Sequence, residues 1–190
     1  MRAHGNFPDV VFRSFDKIEF AEDFISGNVR FANCRNYLNI TDSRKDTSEG
    51  SGFYLHDSKP ITIGFCTNSI FIQCFHRTLE AALATNHGKY VVQLNNPVNL
   101  AVSITNSLNK LPHKFFGGVE GVNISYEHGQ TKAERLSSYN SSRLTYSQKP
   151  LSYAHEQEFR FVLITEQLDI DHLIVSAAQN SSYEFVRHYA

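Results

Sequence analysis

The spacing of apolar and polar residues along the chain predicts short strands separated by short helices. Val10–Phe15 is a β-branched and aromatic run that favours a strand, and the apolar positions of Ile18–Ile25 recur at helical spacing. Asp16 stands three residues before Glu19, a pattern that predicts a capping box at the start of this helix. Gly27 follows at a position that tolerates positive φ, so the helix is expected to end there.

The rest of the chain continues this alternation of element types. The predicted strands are residues 29–32, 61–67, 70–76, 89–94, 122–126, 156–165 and 172–176, and the predicted helices are residues 77–85 and 97–110. The strands at 61–67 and 70–76 are expected to pair around an Asn68-Ser69 turn, and Asn96 is expected to cap the second helix. Strands and helices are mixed without a regular βαβ rhythm. The sequence therefore predicts an α+β fold with a mixed or largely antiparallel sheet, in a single domain spanning residues 1–190.

Two polar stretches interrupt the hydrophobic pattern. Residues 39–59 are charged and closed by glycines, which predicts a long exposed loop, and loops of this length are usually functional or disordered. Residues 127–150 are rich in serine and carry cations and tyrosines, with a short helix expected near residues 132–138. These two stretches are where binding residues are expected.

Composition narrows the range of partners. The 18 Lys and Arg balance 19 Asp and Glu, so any nucleic-acid partner would need a local cationic patch. No apolar run is long enough for a membrane span, and the N-terminal residues form no secretion signal, so we expect a cytoplasmic protein that binds no membrane. The three cysteines lack CxxC spacing, and the nine histidines lack HExxH or Cys/His metal spacing, so no metal site is expected.

The strongest chemical pattern lies in the predicted strand 156–165. Because side chains alternate between the two faces of a strand, Phe159 and Phe161 are expected to share the core face. Glu156, Glu158 and Arg160 would then share the opposite face. One interpretation is an edge strand whose solvated face carries a weak Glu158–Arg160 pair. The other is that carboxylates on a strand this apolar are kept because they are used in chemistry.

Residues 149–161 resemble a family signature, Lys-x-x-x-Tyr-x-x-Glu-x-Glu-aromatic-Arg. It occurs in a bacterial and phage group of abortive-infection-associated proteins related to the ADP-ribosyltransferase fold. Residues 39–50 are similar to the Glu-Asp-x-x-Arg-x-Asp-x-x-Glu-Gly loop of that group, with Thr41 in place of the first acid. Residues 71–76 resemble its strand ending in Cys-Phe-Ser, with His76 in place of the serine.

The resemblance implies a split, mixed β-sheet that holds NAD as co-substrate in a cleft. By position, Glu158 matches the catalytic glutamate, whose carboxylate would stabilise the oxocarbenium-like ribose as nicotinamide leaves. Glu156 matches the position that orients or deprotonates the acceptor. The residues implied for NAD binding are Arg13, Ser14, His76, Arg44, Asp46 and Glu49. For Arg13 the alternative is a surface cation at a strand end, for His76 a polar strand terminus, and for the last three a self-paired solvated loop.

The segment before the glutamates occupies the place of the acceptor-recognition loop in such transferases. It interleaves rings and cations, which suits stacking on a base beside a phosphate, although it suits a protein acceptor nearly as well. The residues expected to bind the acceptor are Tyr139, Arg143, Tyr146 and Lys149. A mobile serine-rich loop without a partner is the alternative.

These expectations lead to three hypotheses about function. The first is transfer of ADP-ribose from NAD to a nucleic acid or protein, by a toxin or phage-defence effector that would need an antitoxin partner. The second is NAD glycohydrolysis, in which water replaces the acceptor. The third is a non-catalytic interaction domain on the same fold, which the changes at Thr41 and His76 favour.

Overall fold

The computed structural model describes residues 1–39, 50–56, 59–64, 68–85, 88–126, 138–178 and 182–188. Arg44, Asp46 and Glu49 lie outside these residues, as do all but the last residue of the helix expected near 132–138. The strands are β1 (His4–Gly5), β2 (Val10–Phe15), β3 (Asn28–Asn33), β4 (Ser51–His56), β5 (Lys59–Gly64), β6 (Ile70–His76), β7 (Tyr90–Asn95), β8 (Glu120–Asn123), β9 (Glu158–Ile164), β10 (His172–Ser176) and β11 (Ser182–His188). The helices are α1 (Ile18–Ile25), α2 (Asn36–Asn39), α3 (Leu79–Ala84), α4 (Pro97–Leu108), α5 (Ser138–Ser147) and a 3-10 helix (Leu151–Glu156).

Nine of these strands form one sheet, and the sheet forks at β6. The main order is β1-β8-β9-β6-β2-β7-β11, with β3 also against β6 and β10 against β3. On one side β6 pairs with β9 along its length, from Ile70 to His76. On the other side, β2 pairs with β6 only where Phe12 meets His76, and β3 takes over at Ile72 and Phe71.

Strand directions confirm the predicted class. β1 runs parallel to β8, and every other strand pairing among the described residues is antiparallel. With its short helices the chain is therefore an α+β fold on a mixed sheet, as the intermixed pattern predicts.

Each face of the forked sheet packs against its own apolar cluster. The larger cluster is aromatic and includes Phe71 and Phe75 of β6 with Phe159 and Phe161 of β9. Phe75 and Phe161 meet edge to face, with ring centroids 4.9 Å apart. The smaller cluster, on the opposite face, consists of Cys34, Ile70, Ile72, Val122, Ile124, Tyr146 and Val162. β9 is therefore covered on both faces, and polar groups on it are desolvated.

The first polar stretch is not a continuous loop, contrary to the expectation for residues 39–59. Its second part forms β4, which pairs with β5 as a separate two-stranded sheet. The expected pairing of the strands at 61–67 and 70–76 around Asn68-Ser69 is wrong for the same reason, because β5 takes β4 as its partner. This hairpin packs against α5, where an added Cβ at Gly52 would come within 2.6 Å of the Leu144 Cβ. The Gln148 amide bonds both the N–H and the carbonyl of Phe53, at 2.9 and 3.1 Å.

The sequence predicted the boundaries of the helices better than it predicted their capping residues. α1 begins after Lys17 with no side-chain cap, so the capping box predicted from Asp16 is wrong, whereas Gly27 follows the helix at φ 94° as expected. Asn96 precedes α4 in a left-handed conformation and caps nothing with its side chain. Within the described part of the chain, no helix has both the length and the apolar character needed to cross a membrane.

Candidate active site

Glu158 is the first residue of β9, a strand in the middle of the sheet. This position distinguishes between the two interpretations of the motif that contains it. β9 lies between β8 and β6, so the edge-strand interpretation is wrong. Glu158 is only 3% exposed and Arg160 only 1% exposed, both on the face of the smaller apolar cluster. The solvated face expected for this pair is therefore absent, and the two charges are buried.

Glu156 does not belong to the strand, contrary to the prediction of a strand over 156–165. It ends the 3-10 helix, and Gln157 follows with φ 46° and ψ 48°, a left-handed turn that starts β9 at Glu158. A non-glycine residue in this conformation costs about 1 kcal/mol. Arg77 holds the turn, because its backbone N–H donates to the Gln157 carbonyl at 2.8 Å and its Nη2 donates to the Gln157 side chain at 2.7 Å.

Four charged side chains meet at this turn, and together they are called the quartet: Lys149, Glu156, Glu158 and Arg160. Arg160 Nε donates to one carboxylate oxygen of Glu158 at 2.5 Å. Lys149 Nζ lies 2.8 Å from the other oxygen of Glu158 and 2.7 Å from Oε2 of Glu156. The quartet is formally neutral, which is what a buried group of charges requires.

Electrostatics keep Glu158 ionised despite its burial. Burial alone would raise the pKa of the Glu158 carboxyl, but Arg160 and then Lys149 outweigh burial and hold that pKa well below its usual range. Burial and the adjacent Glu158 raise the pKa of the Cys74 thiol, which therefore stays protonated beside the carboxylate. Cys74 is thus not a reactive thiolate.

His76 and Tyr126 complete the surroundings of Glu158. His76 stands opposite Glu158 in the β6–β9 register, and its Nδ1 lies 2.8 Å from the Glu156 carbonyl oxygen. Burial lowers the pKa of His76, so the ring is neutral at pH 7, with the proton on Nδ1 to meet that carbonyl. The Tyr126 hydroxyl accepts the backbone N–H of Glu158 at 2.7 Å. His76 is therefore close to both glutamates.

Arg13 and Ser14 lie beside this site but their polar groups are used within the fold. The Arg13 guanidinium lies beside β6, where Nη1 donates to the Cys74 carbonyl and the Phe15 ring centroid lies 5.2 Å away. Burial lowers the pKa of Arg13. Ser14 Oγ donates to the carbonyl of Ala82 at 2.8 Å. These polar groups of Arg13 and Ser14 are thus used within the fold, and their contacts with NAD stay a prediction.

The residues expected to bind the acceptor are separated by the structure. Arg143 Nε binds Glu120 at 2.6 Å, and Tyr146, which is fully buried, donates its hydroxyl to the same carboxylate at 2.8 Å. A buried ring cannot stack on a base, so the expectation for Tyr146 is corrected. Lys149 belongs to the quartet. Tyr139 lies in α5, and its side chain is outside the described residues.

Glu120 is the buried charge that the sequence pattern missed. It is 3% exposed at the start of β8 and holds Arg143 and Tyr146 of α5 against the sheet. The only sequence signal was an acid directly before the apolar strand. Its partners come from a helix in a stretch that was predicted to be largely loop, so the pairing was not foreseeable from spacing.

Lowering the pH is expected to destabilise the fold in two steps. The folded-state pKa of His76 is depressed, so below about pH 6.5 the unfolded chain binds a proton that the folded chain does not, and stability falls with pH. The pKa of Glu158 is also depressed, so its stabilising contribution is lost as the pH falls below about 4.3. Urea midpoints measured from pH 7.5 to 3.5 test this, and His76→Gln should flatten the first step. A midpoint that stays constant from pH 7 to 5 would contradict the assignment for His76.

Comparisons with known proteins add no identification. Within the described residues, no group of three or more His, Cys, Asp or Glu side chains is placed to hold a metal ion. No protein-family model, no curated protein and no solved structure matches this chain.

Proposed function

We propose that this chain is an NAD-dependent ADP-ribosyltransferase that modifies a macromolecule in the cytoplasm. The observation that carries the proposal is the ionised carboxylate of Glu158, desolvated at the start of a central strand and held in position by Arg160 and Lys149. A second carboxylate, Glu156, contacts the same ammonium and has a side chain that is 25% exposed. The fork of the sheet next to Glu158 is consistent with the split sheet of such transferases.

The proposed chemistry is cleavage of the bond between nicotinamide and ribose. The C1′ carbon becomes positively charged as nicotinamide leaves, and a preorganised carboxylate in a site of low polarity stabilises that charge. Glu158 has this role, and Glu156, which reaches solvent, orients or deprotonates the incoming acceptor. Neutral His76 lies opposite Glu158 and bonds the Glu156 carbonyl, so it contributes hydrogen bonding without adding a cation.

The acceptor is a nucleic acid or a protein, and the surroundings of Glu156 decide which. Arg143 and Tyr146 are engaged with Glu120, so in this conformation these two side chains do not serve acceptor recognition. A toxin or phage-defence effector of this kind would be paired with an antitoxin in its host.

One observation favours a second candidate, the non-catalytic interaction domain. The Glu158 carboxylate is 3% exposed and is contacted on both oxygens by cations, so a substrate must displace or share one of them. A chain that had lost turnover could keep the quartet only for stability.

The test is nicotinamide release from NAD by the purified protein, alone and with RNA, DNA or protein extract. The transferase proposal expects release that depends on one extract and label transfer from NAD carrying an isotope in its adenylate part. Release without any extract would identify a glycohydrolase instead. If the protein neither releases nicotinamide nor binds NAD under any of these conditions, the result would support the second candidate, the non-catalytic interaction domain.

A further inference from the structure

The segment from Lys149 to Glu158 is a closed loop whose ends meet in an ion pair. Lys149 is anchored by its backbone, because its N–H donates to the Ser125 carbonyl at 3.0 Å. Pro150 and the 3-10 helix then turn the chain back, so that Glu156 and Glu158 both return to the same ammonium, at 2.7 and 2.8 Å. Lys149 therefore directly contacts Glu156 and Glu158, which are seven and nine residues away in the sequence.

The Lys149 side chain is held from several directions. It is 10% exposed, and the Tyr153 ring centroid lies 5.0 Å from its Nζ, within the range of a cation–π contact. An ammonium has three donors and no acceptor, so it can serve two carboxylates at the same time, whereas a planar guanidinium favours bidentate binding to one. The residue type, as well as its charge, fits the task of bridging.

We infer that Lys149 is a positioning residue that brings the carboxylates of Glu156 and Glu158 together by giving each of them a contact with one ammonium group. Two carboxylates brought to a common point without a cation would share a proton, because like charges at this range favour protonation of one of them. A shared proton would remove either the charge that stabilises the ribose cation or the base that serves the acceptor. This inference rests on the proposed function for its catalytic consequence and on the geometry alone for its electrostatic part. It replaces acceptor binding as the role of Lys149.

The other groups that face Glu158 determine how its carboxyl is expected to respond when Lys149 is removed. Arg160 approaches from β9 itself, Cys74 and His76 from β6, and Tyr126 from the segment that follows β8. Of these only Arg160 is a second cation, and it contacts the oxygen that Lys149 does not. Removing the lysine therefore leaves Glu158 ion-paired on one side and facing Glu156 on the other.

The electrostatic part is tested by NMR titration of protein labelled with ¹³C at the glutamate carboxyls. The Glu158 signal is assigned by its loss in Glu158→Gln. In Lys149→Met, we expect this carboxyl to titrate at a pH at least one unit higher than in the wild type, and Lys149→Arg should restore part of the difference. Should Lys149→Met fail to fold, the charge-balanced Lys149→Met/Glu156→Gln protein is compared with Glu156→Gln. Glu158 titration at the same pH with and without the lysine, in either comparison, would overturn the inference.

The catalytic part is tested by the pH profile of nicotinamide release. Lys149→Met should lose at least tenfold in kcat at pH 6 and much less at pH 8.5, whereas a residue needed only for packing would lower kcat equally at both. An equal loss at both pH values would overturn the catalytic part. A wild-type protein that releases no nicotinamide, but whose Glu158 titration depends on Lys149, would refute the proposed function and support the lysine's electrostatic role.

Discussion

Replacing Glu158 by glutamine is expected to lower nicotinamide release by about 10²- to 10³-fold, the usual cost of losing one preorganised electrostatic contact to a transition state. Glutamine keeps the size of the side chain but removes the charge that would stabilise the ribose cation. The same change leaves Arg160 and Lys149 beside a neutral amide in a buried site. Because both cations would lose this carboxylate partner, Glu158→Gln is also expected to lower the free energy of unfolding.

A matched control separates the chemical effect of this change from its effect on folding. Lys149→Met/Glu158→Gln removes one cation together with one anion, so the quartet stays neutral and its stability should exceed that of Glu158→Gln alone. Release should be lost in both proteins. Wild-type release from Glu158→Gln that is shown to be folded by circular dichroism would exclude Glu158 from catalysis.

Replacing Arg160 by methionine is expected to lower the free energy of unfolding by about 3–5 kcal/mol, the range for removing one partner of a buried ion pair. Arg160 is 1% exposed, and its guanidinium serves both Glu158, at 2.5 Å, and the backbone carbonyl of Tyr146, at 3.1 Å. Its loss leaves a buried carboxylate with one cation fewer and a buried carbonyl without this donor. Urea denaturation at pH 7.5, followed by far-UV circular dichroism, measures the change.

The comparison for Arg160 is an ion pair on the surface of the same protein. Arg35 Nη2 lies 2.9 Å from Asp169, whose side chain is 91% exposed, so Arg35→Met should cost less than about 1 kcal/mol. The double variant Arg160→Met/Glu158→Gln should recover part of the stability lost in Arg160→Met, since no unpaired carboxylate remains. Equal losses from Arg160→Met and Arg35→Met would show that the quartet contributes nothing beyond a surface pair.

Local patterns were sufficient to predict the elements whose side chains repeat at regular spacing. Val10–Phe15, Ile70–His76 and His172–Ser176 were all predicted with the bounds that the structure has, and the helix predicted between Asp16 and Gly27 is present as Ile18–Ile25. In each, apolar residues at a period of two or of 3.6 are enough to define a buried face. The α+β class followed from the order of these elements.

Elements stabilised by distant partners were not foreseeable from spacing. α5 is polar, and it is held by Glu120 through Arg143 and Tyr146, and by the hairpin that packs at Leu144. Its weak apolar periodicity gave no helical signal, because helices gain most of their stability in proteins from tertiary packing. β4 was missed for the same reason, since its strand character depends on β5 and on the Gln148 amide.

For the site, the sequence alone was enough to single out Glu156, Glu158 and Arg160 and to place the core face on Phe159 and Phe161. Burial of the charges, the left-handed turn at Gln157 and the bridge through Lys149 were decided only in the tertiary structure. The physical reason is that a charged side chain raises or lowers the stability of the fold according to its solvent exposure and its partners. Folding brings both about, and neither can be derived from spacing along the chain. The sequence thus determines which types of residue occur at this site, whereas the fold determines their ionisation and their contacts.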